Sequence, residues 1–305
     1  MTRHRPTGAR PSGSASKRSG RWPPWVWALL AVAVEACPVH AAPPERVVSI
    51  NVCADQLVQL LARSEDVQAL SFLAGDPQMS VLAGQSSAYR LIRGQAEEVL
   101  PLDADLVIAG VYSTPATVAL LRRLGQRIEI LPMTSDLDGI RANVRRVAGW
   151  LRREASGRAL IADLDARLLA VRPATHGHEP TALVYYVNSL AAGRGTLADA
   201  VLRAAGYRNL AAEEGIDGEG YLPLERLVAN PPDLIVLGNG LQHYRSITAD
   251  NLRHPALRRV MQRVPSVVLP QALLMCDTPL VVEAVELLAA ARSRIGRSTV
   301  SSTLP

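Results

Sequence analysis

The sequence predicts an α/β protein of two doubly wound lobes joined by one long rigid helix. Three observations carry this. Short apolar runs of strand length alternate with helical stretches in two separate blocks. A nearly continuous helical stretch, residues 137–172, lies between the blocks. A chain of 305 residues is too long for one small core and suits two lobes of about 100–150 residues each.

The chain starts with a segment unlike the rest. Residues 1–21 are basic and rich in Ser and Gly, and Val26 to Val34 is an unbroken apolar run. That run fits the core of a signal peptide and is too short to span a bilayer, which needs about 20 apolar residues. Cleavage is expected after Ala41, with Ala42 as the alternative, so residues 1–41 form the signal peptide. Val34-Glu35-Ala36-Cys37 loosely resembles a lipoprotein motif, but Glu35 is wrong for it. An uncleaved anchor and a lipid anchor at Cys37 stay as the lesser alternatives to a free periplasmic protein.

The leader also explains the charge. The net charge is +5, yet six of the 33 basic residues precede residue 42 against one acid, Glu35. The remainder carries 27 of each sign. A nucleic-acid binder holds its excess positive charge on the folded body, so that class is excluded. With 48% hydrophobic residues and a mean hydropathy of +0.10, a sizeable core is expected.

The N-terminal lobe is expected over 43–154. Arg46 to Ile50 reads as a buried strand, Asp55 to Ala62 as a helix with Leu57, Leu60 and Leu61 on one face, and 67–73 as a second strand. Asp105 to Ala109 is an apolar run ending at Gly110, as in a parallel strand covered on both faces. Thr117 to Leu124 forms a helix stopped by Gly125, and Arg127 to Leu131 the next strand. In the middle stretch a break is expected near Ser156-Gly157, and the interlobe helix over 155–172, ended by Pro173. The C-terminal lobe follows over 173–293. It has strands at Ala182 to Val187, Leu234 to Leu237 and Val267 to Leu269, and helices at Leu197 to Ala205 and Pro279 to Ser293. Residues 294–305 read as a flexible tail.

One pattern occurs twice. Glu97 stands eight residues before Asp105 in EEVLPLDADLVIAG, and Glu225 stands eight before Asp233 in ERLVANPPDLIVLG. Each reads as acid, short helix, turn and buried strand ending in Gly, with an offset of 128 residues.

In doubly wound lobes ligands lie beyond the C-terminal ends of the strands. The loops there nominate Asn51, Cys53, Asp55, Phe72, Tyr112, Tyr186, Asn188, Arg194, Asn239, Tyr244 and Cys276. The tyrosines offer walls with a polar tip, and Arg194 offers a pair for a carboxylate or phosphate. Cys53 and Cys276 are the cysteines left after the leader, 223 residues apart. They read as a disulfide bracing the lobes, as thiols touching a ligand's metal, or as two unrelated thiols. No resident metal is expected. His176 and His178 sit two apart in a Pro/Gly loop, His243 and His254 have no evident partners, and a zinc site needs three or four clustered ligands. Nothing in the chain matches a nucleophile elbow, a phosphate-binding glycine loop or a zinc-protease helix, so an enzyme is not expected.

RVVSINVCADQL, EEVLPLDADLVIAG, GRGTLADAVLRAAGYRNLA, LPLERLVANPPDLIVLG, HPALRRV and DTPLVVEAVELLA follow one another in this chain. In their order and spacing they resemble the periplasmic binding proteins of ABC importers for iron-siderophores, haem and cobalamin, over roughly 45–293. The resemblance implies two lobes on a single rigid helix with a ligand cleft between them. It implies capture of a small-molecule metal chelate, a ferric siderophore or a corrinoid, with haem as the alternative, and no covalently bound cofactor. The implied partner is an ABC permease dimer with its ATPase subunits, met by a monomeric binding protein. Glu97 and Glu225 match the family's two acidic tips, which dock onto permease arginines. Two departures stand out. Where cobalamin binders carry a cysteine pair in the C-terminal lobe, this chain has Ala205 and Leu288. The aromatic content is also low: only Trp150 and Phe72 represent Trp and Phe after the leader. A periplasmic α/β enzyme or a metal-centre assembly protein is the reading from another class.

Overall fold

A computed structural model describes residues 42–172, 179–238 and 254–301. The expected signal peptide, residues 1–41 with Cys37, and also His176, His178, Asn239, His243 and Tyr244, lie outside the described residues.

The N-terminal lobe runs β1 (Val47–Ser49), α1 (Val52–Leu61), β2 (Val67–Ser71), β3 (Leu91–Ile92), α2 (Ala96–Val99), β4 (Leu106–Gly110), α3 (Pro115–Arg123) and β5 (Ile128–Leu131). All its strand pairs are parallel, in the order β3-β2-β1-β4-β5. Every residue of β1 and β4 is buried, as expected of central strands with helices on both faces. One face packs on Leu57, Val58 and Leu61 of α1. The other packs on Val99 and Leu121 of α2 and α3. The chain order reverses between β1 and β4, so the crevice of this doubly wound sheet opens where those two strands end.

A helical hairpin follows: α4 (Leu137–Trp150) and α5 (Glu154–Ala170). The break falls at residues 151–153, where Arg152 takes a left-handed backbone (φ 56°), and not at Ser156-Gly157. Gly157 is an interior helix position where α4 and α5 nearly touch. A Cβ there would stand 2.6 Å from the Ala148 Cβ, so the glycine answers to packing rather than to a break. The expected interlobe helix is α5, but α4 shares its role. Ile140 of α4 and Leu164 of α5 belong to the C-terminal core, whereas Val144, Val147 and Ile161 belong to the N-terminal one.

The C-terminal lobe contains β6 (Thr181–Tyr185), β7 (Leu190–Ala192), α6 (Leu197–Ala204), β8 (Arg208–Asn209), α7 (Leu210–Glu213), β9 (Glu219–Tyr221), α8 (Leu224–Ala229) and β10 (Leu234–Gly238). It ends with α9 (Pro255–Met261), β11 (Ser266–Leu269), α10 (Ala272–Met275) and α11 (Val282–Ser301). Its sheet is mixed, in the order β11-β10-β6-β7-β9, with β8 beside the start of β6. The β11, β10 and β6 strands are parallel, and β7 pairs antiparallel with both β6 and β9. The lobe is α/β as expected, with the antiparallel strand β7 and its partner β9 added at one edge of the parallel core. Ala205 and Leu288 pack in one fully apolar core. The final helix continues to Ser301, past the residue 293 at which a flexible tail was expected. Among the described residues, no helix is long and apolar enough to cross a membrane.

The repeated pattern is a repeated structure. β4 and β10 begin and end 128 residues apart, and Glu97 and Glu225 each stand second in their helix, α2 and α8. Asp105 accepts the backbone N–H groups of Glu45 and Arg46 at the entry to β1 (3.1 Å each). Asp233 does the same at the entry to β6, accepting from the Thr181 N–H (2.7 Å) and hydroxyl (3.0 Å). In each lobe one aspartate sets the register between a central strand and its parallel neighbour.

Candidate functional site

An open cavity of about 380 Å³ lies at the end of β1 and β4 and reaches the C-terminal lobe through Met275 and Asp277. The crevice exists because the strand ends approach closely. At Gly110 a Cβ would sit 2.5 Å from the Asn51 side chain, so only glycine lets β4 end against that residue. Asn51 caps α1, its carbonyl oxygen accepting from the Cys53 and Ala54 N–H groups at 3.1 and 3.2 Å.

The walls are mainly apolar. Tyr112 is 79% exposed, Met133 63% and Phe72 54%, and all three line the cavity with Val111, Met79 and Met275. Large exposed apolar side chains gathered on one concave surface mark a binding site. Two charged side chains join them. Arg93 is exposed and has no ion-pair partner among the described residues. Asp277 is turned inward, accepting from the Thr134 N–H (2.8 Å) and from Asn143 Nδ2 (3.1 Å). Burial nonetheless raises its pKa above the ordinary carboxylate value.

The structure brings Asn51, Cys53, Phe72 and Tyr112 together in this cavity. Cys276 joins them by a disulfide to Cys53, with a Cα–Cα separation of 5.1 Å. Asp55 is different. It is completely buried on the inner face of α1, where it accepts from the Ser71 N–H (3.2 Å) and from the Ser71 hydroxyl. Burial raises its pKa to about 7, against the lowering effect of hydrogen bonds from Ser49 and Ser71. It therefore supports the Phe72 loop and does not face a ligand.

Tyr186, Asn188 and Arg194 also lie away from the cavity lining, because β6 turns back into the antiparallel β7. Tyr186 N donates to Leu190 O (2.8 Å) across that turn, and Asn188 takes a left-handed backbone (φ 58°). Burial, then the charge of Glu219, raises the Tyr186 pKa to about 12. Arg194 lines a separate surface hollow and pairs with Asp217 at 3.1 Å. The cavity residues that the sequence reading missed include Met79, Met133 and Arg93, whereas Met275 lies in the loop with Cys276 that it had singled out. A compositional signal existed, since only four methionines follow Met1 and three of them meet here.

Glu97 and Glu225 are exposed and make no ion pair among the described residues. Their neighbour Glu98 is used internally, accepting from Arg93 N (2.9 Å) and Gln95 N (3.1 Å) in a capping box. Each free carboxylate stands in the first turn of a helix, which the helix dipole favours.

Comparison with known proteins places these features in context. A family model described as periplasmic binding protein matches residues 74–260. A cobalamin-binding protein of Halobacterium salinarum is 28% identical over 203 residues, 64% of this chain and 54% of that protein. The chain thus spans about half the length of the curated relatives it matches. Among solved structures, the periplasmic heme-binding protein RhuT of Roseiflexus sp. RS-1 aligns with a TM-score of 0.67 at 26% identity, covering 82% of this chain and 98% of that one. The vitamin B12 binding protein BtuF of Vibrio cholerae shares the fold, with a TM-score of 0.61 at 20% identity, covering 83% and 98%.

Proposed function

The chain belongs to the periplasmic binding protein family, and from that premise we propose that it captures a metal chelate and delivers it to an ABC permease. The chelate is a ferric siderophore or a corrinoid. The observation that carries the reading is the cavity at the β1/β4 switch point, walled by Tyr112, Phe72 and three methionines, with Arg93 as a cation that has no ion-pair partner among the described residues. Such a surface suits a ligand with a broad apolar face and an anionic edge. The cobalamin-binding relative supports a corrinoid; the heme-binding structure at 26% identity supports haem as the second reading.

Delivery rests on Glu97 and Glu225. Two like carboxylates, presented by equivalent helices of the two lobes, suit a two-fold symmetric cationic partner. The partner is the permease dimer with its ATPase subunits. The export segment at 1–41, the periplasmic location and the monomeric state belong to the same reading. A periplasmic enzyme or metal-centre assembly protein would instead consume or alter the chelate.

A thermal-shift panel of haem, cobalamin, cobinamide and ferric hydroxamates tests the capture step. A chelate at 100-fold excess over its Kd stabilises the protein by about 2.7 kcal/mol. No shift with any member contradicts the proposal, and turnover of the chelate favours the enzyme reading.

A further inference from the structure

Three consecutive residues of the C-terminal lobe each grip a different point of the N-terminal lobe. Cys276 is bonded to Cys53 on α1. Asp277 accepts from the Thr134 N–H and from Asn143 on α4. The Thr278 hydroxyl donates to the buried Gln56 side chain on α1 at 3.0 Å. This staple sits at the cavity itself. Cys53, Met275 and Asp277 line it, and Cys53 is only half-buried, whereas Cys276 is 2% exposed.

We infer that the Cys53–Cys276 disulfide positions the C-terminal wall of the cavity, so that ligand affinity depends on its oxidation state. The inference rests on the ligand-capture reading above. The disulfide is the covalent member of the staple. Without it, Met275 and Asp277 are held on the N-terminal lobe by hydrogen bonds alone, and the wall relaxes away from Tyr112 and Phe72. Cys53 is half-buried and lines the cavity, through which a dithiol reductant reaches the disulfide. The reductant's thiolate attacks one sulfur of the disulfide. A mixed disulfide forms and is resolved by the second thiol, leaving two protein thiols and an oxidised dithiol, a transfer of two electrons and two protons. Linkage makes the effect reciprocal: a chelate that binds the oxidised protein more tightly protects the disulfide by the same factor.

The test compares the oxidised protein with protein reduced by dithiothreitol and freed of it under argon. Haem, cobalamin and a ferric hydroxamate are the probes. A probe bound by the oxidised protein is expected to bind the reduced protein at least fivefold more weakly, with recovery on reoxidation. The Cys53→Ser/Cys276→Ser variant is expected to show the weak affinity with no response to reductant. Equal affinity in both wild-type states overturns the inference.

A second measurement needs neither ligand nor variant. Hydrogen exchange of the Thr134 amide, which Asp277 holds, is expected to quicken at least tenfold on reduction while the β1 amides stay protected. Unchanged Thr134 exchange also overturns the inference. If no probe binds the oxidised protein, the capture reading fails, and Thr134 exchange alone decides whether the disulfide positions the wall.

Discussion

The two lobes share one unit and use it differently. In both, a short helix with an exposed second-position glutamate leads into a buried strand ending in glycine, and an aspartate before the strand fastens the neighbouring strand's entry. The surroundings diverge. The N-terminal strand sits in an all-parallel sheet, and Val111 to Thr114 after it line the cavity. The C-terminal strand sits in a mixed sheet whose first strand turns back on itself. The lobes therefore repeat a scaffold and an exposed acid, while the described cavity walls come mainly from one of them.

The largest test of this contrast concerns buried acids. Asp55 in the N-terminal lobe has serine partners, whereas the buried Asp199 in the C-terminal lobe has Arg203 at 3.2 Å and Asn209 at 3.1 Å. The folded pKa of Asp55, about 7, lies above its ordinary 3.8. Between those values the folded state binds more protons than the unfolded one, so stability falls as pH rises from about 4 to about 7. The full effect is on the order of 4 kcal/mol. Denaturation of Asp55→Asn across that range should show the slope reduced; an unchanged slope removes Asp55 as its source.

Next in size is the cavity wall. Tyr112→Ala should weaken chelate binding about tenfold or more, an effect of roughly 1.4 kcal/mol. Tyr221→Ala, at a 65% exposed tyrosine of the C-terminal lobe outside the cavity, should leave it unchanged. Isothermal titration of both variants checks this, and equal losses would remove the distinction between the lobes.

The shared unit predicts a match. Asp105→Ala and Asp233→Ala should each cost about 1–2 kcal/mol, since each removes a carboxylate that accepts two local donors. Urea denaturation giving a large cost for one and none for the other would show that the two aspartates only look alike. The smallest effect is expected at the half-exposed Arg167–Glu286 pair, 2.7 Å apart, which ties α5 to α11. Arg167→Gln should cost under about 1 kcal/mol, less at high salt.

Much of this was legible in the sequence because the central strands are apolar runs with clear stops. β1, β2, β4, β5, β6, β10 and β11 were all anticipated. The strands not anticipated are two or three residues long, such as Leu91–Ile92, Arg208–Asn209 and Glu219–Tyr221. Pairing with a neighbour defines them, and no local periodicity does. The loops at the ends of β1, β2 and β4 were legible from topology, which found Asn51, Cys53, Phe72 and Tyr112. Asn188 and Arg194 were drawn elsewhere by the β6–β7 reversal, a pairing with no local mark. Asp55 lay at the right strand end but on the inner face of its helix. The methionines were not legible as a group, since Met79, Met133 and Met275 meet only after folding.

The proposed function separates capture from delivery in one molecule. Uptake of a labelled chelate, measured beside equilibrium dialysis on the same variants, tests it most directly. Glu97→Ala/Glu225→Ala should bind the chelate as tightly as the parent protein while uptake collapses; Tyr112→Ala should lose binding first. Loss of chelate binding in the glutamate variant, or full uptake by it, would contradict that separation.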